Sequence, residues 1–260
     1  MDLKNKIAIV TGGSKGIGYA IAEQLARQGA HPLLVARGEK DLQQAVAQIQ
    51  EQVPQSRPSY FSADVSDITA VQQIIPFALQ TYGRLDILVN NAGVYVLDYL
   101  ANVNHEKLKQ ILDVDLAGVI FMTKEVLTVF EKQHSGMILD IGSTAALTVF
   151  DQNNAYVAAK FGHRAFSKMV EKEFPYVLVY RLHPSNTETE VRKETHSELE
   201  KQIREKSFFL PALEIGVESV KLLRGDYPDT FHEIIVRADQ NTGKKIVEAV
   251  YESPFVFKAL

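Results

Sequence analysis

Apolar and polar residues follow one another along this chain in two rhythms. Ile7-Ala8-Ile9-Val10 is a short, largely β-branched apolar run that stops at Thr11-Gly12-Gly13. Ile17, Ile21 and Leu25 then recur at i, i+4 and i+8, the buried stripe of a helix that ends near Gly29. The theme repeats. Strand-like runs at 33–36, 60–63, 85–89, 137–141, 177–182 and 234–236 are separated by helical stretches near 39–52, 67–81, 104–132, 155–173 and 212–224. Short, continuously apolar strands between amphipathic helices call for a parallel sheet covered on both faces. With no Pro/Gly/Ser-rich linker and no repeat of 20–50 residues, the pattern predicts one doubly wound α/β domain over residues 1–260.

The segment 185–207 breaks the rhythm, because it is dense in Glu, Lys and Arg. Two readings fit it: a solvated helix face, or a lid over a cleft around 188–210.

Composition narrows the function classes. Lys plus Arg total 28 against 32 for Asp plus Glu, a net charge of −4, which lacks the basic footprint of a nucleic-acid binder. There is no cysteine, so disulfides, thiolate catalysis and Cys-ligated zinc are excluded. No run approaches the roughly 18 apolar residues of a membrane span. The start, Met1-Asp2-Leu3-Lys4, lacks the basic-then-apolar order of a secretory signal. The expected address is the cytoplasm. The seven histidines show no metal-ligand spacing and are expected on the surface or in loops; no metal site is expected.

The first chemical signal is Thr11-Gly12-Gly13-Ser14-Lys15-Gly16-Ile17-Gly18, which follows a strand and opens a helix. Glycines let the backbone approach a pyrophosphate, and a helix N-terminus offers unpaired N–H groups. No Lys-Ser or Lys-Thr follows the last glycine, which separates the loop from a nucleoside-triphosphate loop. The second strand ends Leu34-Val35-Ala36-Arg37-Gly38, with no carboxylate before Glu39. An acid there would bind a ribose 2′-hydroxyl, whereas Arg37 offers a planar fork to a 2′-phosphate and Lys15 adds a second cation. The reading is NADP(H) rather than NAD.

Three further segments fall into line: Asn90-Asn91-Ala92-Gly93, Ser143, and Tyr156-x-x-x-Lys160. An i, i+4 pair projects both side chains to one side of a helix. A phenol, with an ordinary pKa near 10, becomes a usable acid/base when an ammonium beside it favours the phenolate. A serine hydroxyl can hold the substrate oxygen while the proton moves.

In these motifs the chain resembles the short-chain dehydrogenase/reductase family, over residues 4 to about 190. The resemblance implies a Rossmann-like sheet of about seven strands and an NAD(P)-dependent oxidoreductase acting on a carbonyl or alcohol. It implies Tyr156 as acid/base, Lys160 as the group that holds the nicotinamide ribose, and Ser143 as the group that orients the carbonyl. Gly12, Ser14, Lys15, Gly16, Ile17 and Gly18 would form the phosphate loop. Asp64 and Val65 would lie by the adenine, and Asn91, Ala92 and Gly93 beside the cofactor. Pro184, Thr187 and Thr189 would touch the nicotinamide amide.

The chain departs from the family at two positions. Asp115 stands where the family's fourth catalytic residue is usually asparagine, and Ser185 replaces the glycine after Pro184. Tyr95, Val96, Leu147, Phe150 and Asn153 are expected to line a mostly apolar substrate pocket. The expected partners are a small carbonyl or alcohol and, by the resemblance, further copies of the chain as a homodimer or homotetramer. The alternative function, prompted by Asp115 and Ser185, is an NADP-binding sensor or scaffold with little or no catalysis.

Overall fold

The computed structural model describes residues 1–188, 207–228 and 231–250. Ten strands and seven α-helices alternate among these residues. The first half runs β1 (Ile7–Thr11), α1 (Gly16–Arg27), β2 (His31–Ala36), α2 (Glu39–Gln52), β3 (Ser59–Ser62), α3 (Ile68–Tyr82) and β4 (Ile87–Asn90). Then come α4 (His105–Leu112), α5 (Gly118–Gln133), β5 (Gly136–Ile141), α6 (Asn154–Glu173) and β6 (Val177–Pro184). The described part closes with β7 (Thr187–Glu188), β8 (Leu210–Pro211), α7 (Ala212–Arg224), β9 (Glu233–Ala238) and β10 (Lys245–Ala249).

Eight strands form one sheet in the order β10-β9-β6-β5-β4-β1-β2-β3, parallel except for β10. One strand more is present than expected. Lys245-Ile246-Val247-Glu248-Ala249 mixes charge with apolar residues because it is an antiparallel edge strand, half open to solvent, so it lacks the continuous apolar signature of the others. Residue parity divides the core. Ala8 and Val10 of β1 pack with Ile21, Leu25, Leu42 and Ile215 on one face. Ile7 and Ile9 pack with Val71, Ile74, Val126 and Phe130 on the other. Both faces are buried, so every residue of β1 is apolar or satisfied.

From β1 the chain winds outward to β3, then crosses to β4 on the other side of β1. Such a reversal opens a crevice at the carboxyl ends of the two central strands, where ligands of doubly wound sheets bind. The stretch expected as one helix over 104–132 is interrupted. Asp113–Ala117 forms a π-type turn between α4 and α5, and such a turn re-aims side chains locally. It carries Asp115 into the interior.

The expected lid around 188–210 falls mostly on 189–206, outside the described residues. At its described ends, the Leu210 amide donates to the Asn186 carbonyl at 3.0 Å, and β7 pairs with β8. Among the described residues no helix is long and apolar enough to cross a membrane.

Candidate active site

The crevice is a cleft of about 890 Å³, a size at the upper end of ordinary ligand pockets. Its floor is stitched by Thr11 and Asn91. Thr11 Oγ1 donates to the Val89 carbonyl at 3.1 Å and accepts from the amides of Asn91 and Ala92 at 2.9 and 3.0 Å. The Asn91 amide group donates to the Thr11 carbonyl at 2.8 Å. Asn91 therefore ties β4 to the glycine loop and shapes the cleft from beneath.

At one end the cleft is lined by Gly12, Ser14, Lys15, Gly16 and Ile17. Gly12 has φ +63°, and a Cβ on it would stand 2.8 Å from Asn91 Nδ2, so only glycine lets the loop turn there. Gly18 does not line the cleft; a Cβ on it would meet the Gly12 carbonyl oxygen at 2.2 Å, so it serves the close packing of α1 on the loop. Among the described residues no side-chain cap occupies the first-turn N–H groups of α1, which suits a pyrophosphate at that end of the cleft. Loop, helix end and cleft size together fit a dinucleotide.

Arg37, Asp64 and Val65 line the same end. Arg37 is exposed, with Nη1 3.8 Å from Asp64 Oδ2. Asp64 also accepts from the Ser66 amide at 2.9 Å. Asp41, from the first turn of α2, lines this end as well. The strand-end reading missed that carboxylate because it arrives from the next helix.

At the other end Ser143, Tyr156, Lys160 and Asp115 come together. Ser143 follows β5, and its Oγ accepts from the Ala145 amide at 3.1 Å, leaving the hydroxyl proton for an oxygen in the cleft. Tyr156 and Lys160 project from one face of α6, with Lys160 Nζ 5.5 Å from the centre of the Tyr156 ring. Tyr95 packs edge-on against that ring at 5.0 Å. Asp115 is fully buried, with Oδ2 accepting the Val94 amide at 2.8 Å and Oδ1 3.1 Å from Lys160 Nζ.

Burial works against the charged form of Lys160. The negative charge of Asp115 and smaller contributions from Tyr156 and Asp140 outweigh it, so the ammonium is held above its ordinary range. Its remaining contact is the Ile141 carbonyl at 3.5 Å.

Ala92, Gly93, Pro184 and Thr187 also line the cleft; Thr189 lies outside the described residues. Ser185 keeps a negative φ and donates its amide to the Val236 carbonyl at 2.9 Å, so the missing glycine costs no backbone strain here. Of the expected substrate-pocket residues, Tyr95, Phe150 and Asn153 line the cleft, and Val96 and Leu147 do not. Leu97, Asp151 and Gln152 take part instead, which makes this end more polar than the sequence suggested.

The histidines depart most from expectation. His31, His163 and His183 are buried, not superficial. His163 Nε2 stands 3.3 Å from Asp140 Oδ1, and His183 lies against Ser143 and Glu233.

Residues 6–200 match the family model for short chain dehydrogenase. The chain is 33% identical over 171 residues to D-beta-hydroxybutyrate dehydrogenase of Cupriavidus necator, covering 66% of each protein. It is 30% identical over 173 residues to 3alpha-hydroxysteroid dehydrogenase of Mediterraneibacter gnavus, covering 66% of this chain and 69% of that one. An alcohol dehydrogenase from the archaeon Thermococcus sibiricus, solved in complex with 5-hydroxy-NADP, superposes with a TM-score of 0.78 at 27% identity. That match covers 89% of this chain and 96% of the other.

Proposed function

Since the chain belongs to the short-chain dehydrogenase family, we propose that it is an NADP(H)-dependent oxidoreductase that interconverts a carbonyl and a secondary alcohol, with Tyr156 as acid/base. The observation that carries the reading is the convergence of Ser143, Tyr156 and Lys160 at one end of a cleft whose other end is a glycine loop. When bound, the nicotinamide supplies or takes up the hydride. The chain's own groups handle the oxygen. Ser143 donates its hydroxyl proton as a hydrogen bond to the substrate oxygen, and Tyr156 gives or takes the proton there. Lys160 keeps a positive charge beside the phenol and holds the cofactor ribose. Asp115 fixes that ammonium and the main chain at Val94.

The substrate is a small molecule reached through the Tyr95, Phe150 and Asn153 end; the chain acts as one domain, in the cytoplasm, as a homodimer or homotetramer. Consumption of NADPH with a panel of α-diketones and quinones tests the activity. Tight NADPH binding with no turnover of any member would favour the sensor or scaffold reading.

Preference for NADP(H) rests on Arg37 and Lys15. Arg37→Asp replaces a fork for the 2′-phosphate with a repelling carboxylate, which can accept instead from a ribose hydroxyl. A lost charge-assisted bond of about 1.5–3 kcal/mol corresponds to roughly 10- to 100-fold weaker NADPH binding. NADH binding is expected to hold or improve. Fluorescence titration of both cofactors at matched salt decides, and an unchanged ratio rejects the preference.

Asp115 suggests a pH test. Its carboxylate favours the ammonium of Lys160 and opposes a second negative charge nearby. Asp115→Asn removes that opposition while its amide oxygen can still accept from the Lys160 ammonium, so the pH–rate limb that marks loss of the catalytic proton is expected to move down. The measurement is kcat against pH in the oxidative direction at saturating NADP. A limb that stays put or rises shows that Asp115 does not oppose proton loss.

A further inference from the structure

His183 ends in contact with the main chain of the catalytic serine. Its Nδ1 is 3.3 Å from the Ser143 amide nitrogen and 3.1 Å from the Ser143 carbonyl oxygen. Its Nε2 is 2.7 Å from Oε1 of Glu233, on the neighbouring strand β9. Both side chains are out of solvent, His183 at 1% exposure and Glu233 at 5%. The contact needs glycine at 142, because a Cβ there would come within 2.4 Å of His183 Nδ1.

The direction of the bonds follows from chemistry. Glu233 is ringed by donors: Arg164 donates to both of its oxygens, and Lys168 and Arg181 each stand 3.6 Å away. Burial pushes its carboxyl up, yet His183 and Arg164 outweigh that and hold it far below the usual carboxylate range. A carboxylate only accepts, so His183 Nε2 carries a proton and donates it. Burial pulls the His183 ring below its ordinary pKa, with Arg164 and His163 of α6 adding to that and Glu233 opposing it. A neutral ring with a proton on Nε2 has a lone pair on Nδ1, and the Ser143 N–H is the donor that meets it.

We propose that His183, oriented by Glu233, is a positioning residue for Ser143: it fixes the serine's amide and, through it, where the hydroxyl stands in the cleft. The proposal rests on Ser143 being catalytic. Ser143 lies two residues past the end of β5 and caps a short 3-10 turn over Thr144–Ala146, a place where the strand's own ladder no longer holds the chain. The Gly142 amide still bonds the Leu182 carbonyl, at 2.8 Å. One residue on, the His183 ring takes over from the ladder. The ion cluster behind it, with half-buried Arg164 and Lys168 and buried Arg181 around Glu233, holds the carboxylate that keeps the ring from turning.

Steady-state kinetics with 1-phenyl-1,2-propanedione at saturating NADPH test this. His183→Leu is expected to lower kcat at least tenfold, since a displacement of ~1 Å in a catalytic group can cost about 10²-fold. NADPH affinity should be unchanged. His183→Asn, with an amide near the place of Nδ1, should restore most of the rate. In a Ser143→Ala background, His183→Leu should cost nothing further. Equal losses in both backgrounds, or no loss in the native one, overturn the proposal. If Ser143→Ala itself turns over at the native rate, the reading of Ser143 fails and the positioning role goes with it. Nitrogen-15 NMR of the native chain needs neither turnover nor a folded variant. It should show the His183 ring protonated at Nε2 and bare at Nδ1, and a proton on Nδ1 in the neutral ring overturns the proposal.

Discussion

Tyr156→Phe is expected to cut turnover by about 10² to 10⁴, the usual contribution of a positioned general acid–base group. The substitution isolates one atom. The ring keeps its edge-on contact with Tyr95 at 5.0 Å and its place 5.5 Å from Lys160 Nζ, so packing is preserved. Only the hydroxyl oxygen, the atom proposed to exchange a proton with the substrate, is gone. Because the glycine loop and the Arg37 end lie elsewhere in the cleft, the Kd for NADPH should stay within about twofold, a change of less than RT. Absorbance of NADPH gives kcat, and its fluorescence gives Kd. A variant within a few-fold of the native rate removes Tyr156 from the mechanism. A large loss of NADPH affinity would mean that the hydroxyl serves cofactor binding more than chemistry.

How far the sequence carried this far depends on which physical signal each part of the molecule emits. The central strands were legible because burial on both faces demands continuous apolar residues, as in Ile7–Thr11. Helix α2 begins at Glu39 and ends at Gln52, as its apolar period indicates, because Leu42, Ala45 and Ile49 face the core. Strand β10 was not legible, since an edge strand with Lys245 and Glu248 reads as loop. The π-type turn at Asp113–Ala117 was also silent: a helix with one extra residue in a turn keeps almost the same local composition.

The site divides in the same way. Tyr156 and Lys160 are neighbours on one helix, so their spacing placed them together. Asp140, His163, His183 and Glu233 come from four different elements and meet only after the sheet forms. A signal was nonetheless present. Asp140 sits in the otherwise apolar β5, Arg181 and His183 interrupt the apolar run of β6, and Glu233 opens β9, and a charge in a buried strand must find a partner or destabilise the fold. Asp41 was missed for a simpler reason, since it lines the glycine-loop end of the cleft from a helix and not from the end of a strand.

Asp115→Ala is expected to destabilise the fold by about 3–5 kcal/mol at neutral pH, the usual penalty for stranding one partner of a buried ion pair. Lys160 is only 4% exposed, and without Asp115 its nearest fixed acceptor is the Ile141 carbonyl at 3.5 Å. The Val94 amide loses its acceptor as well. In the native chain the partner charges hold the Lys160 pKa above its ordinary 10.5, so the ammonium's contribution is lost as pH rises through the folded pKa, while burial holds the Asp115 carboxyl above its usual range and bounds the pair on the acid side. In the variant burial is opposed only by the smaller contributions of Tyr156 and Asp140, and the folded pKa is expected to fall below 10.5. The ammonium must then be neutralised to stay buried, at a cost that falls as pH rises towards 10.5. The deficit should therefore be large at pH 7, a loss on the order of 10 °C in Tm, and shrink steadily up to pH 10. Thermal melts of both proteins across that range are the measurement. A deficit that is the same at pH 7 and pH 10 would show that Asp115 stabilises through packing or the Val94 bond, and not through Lys160.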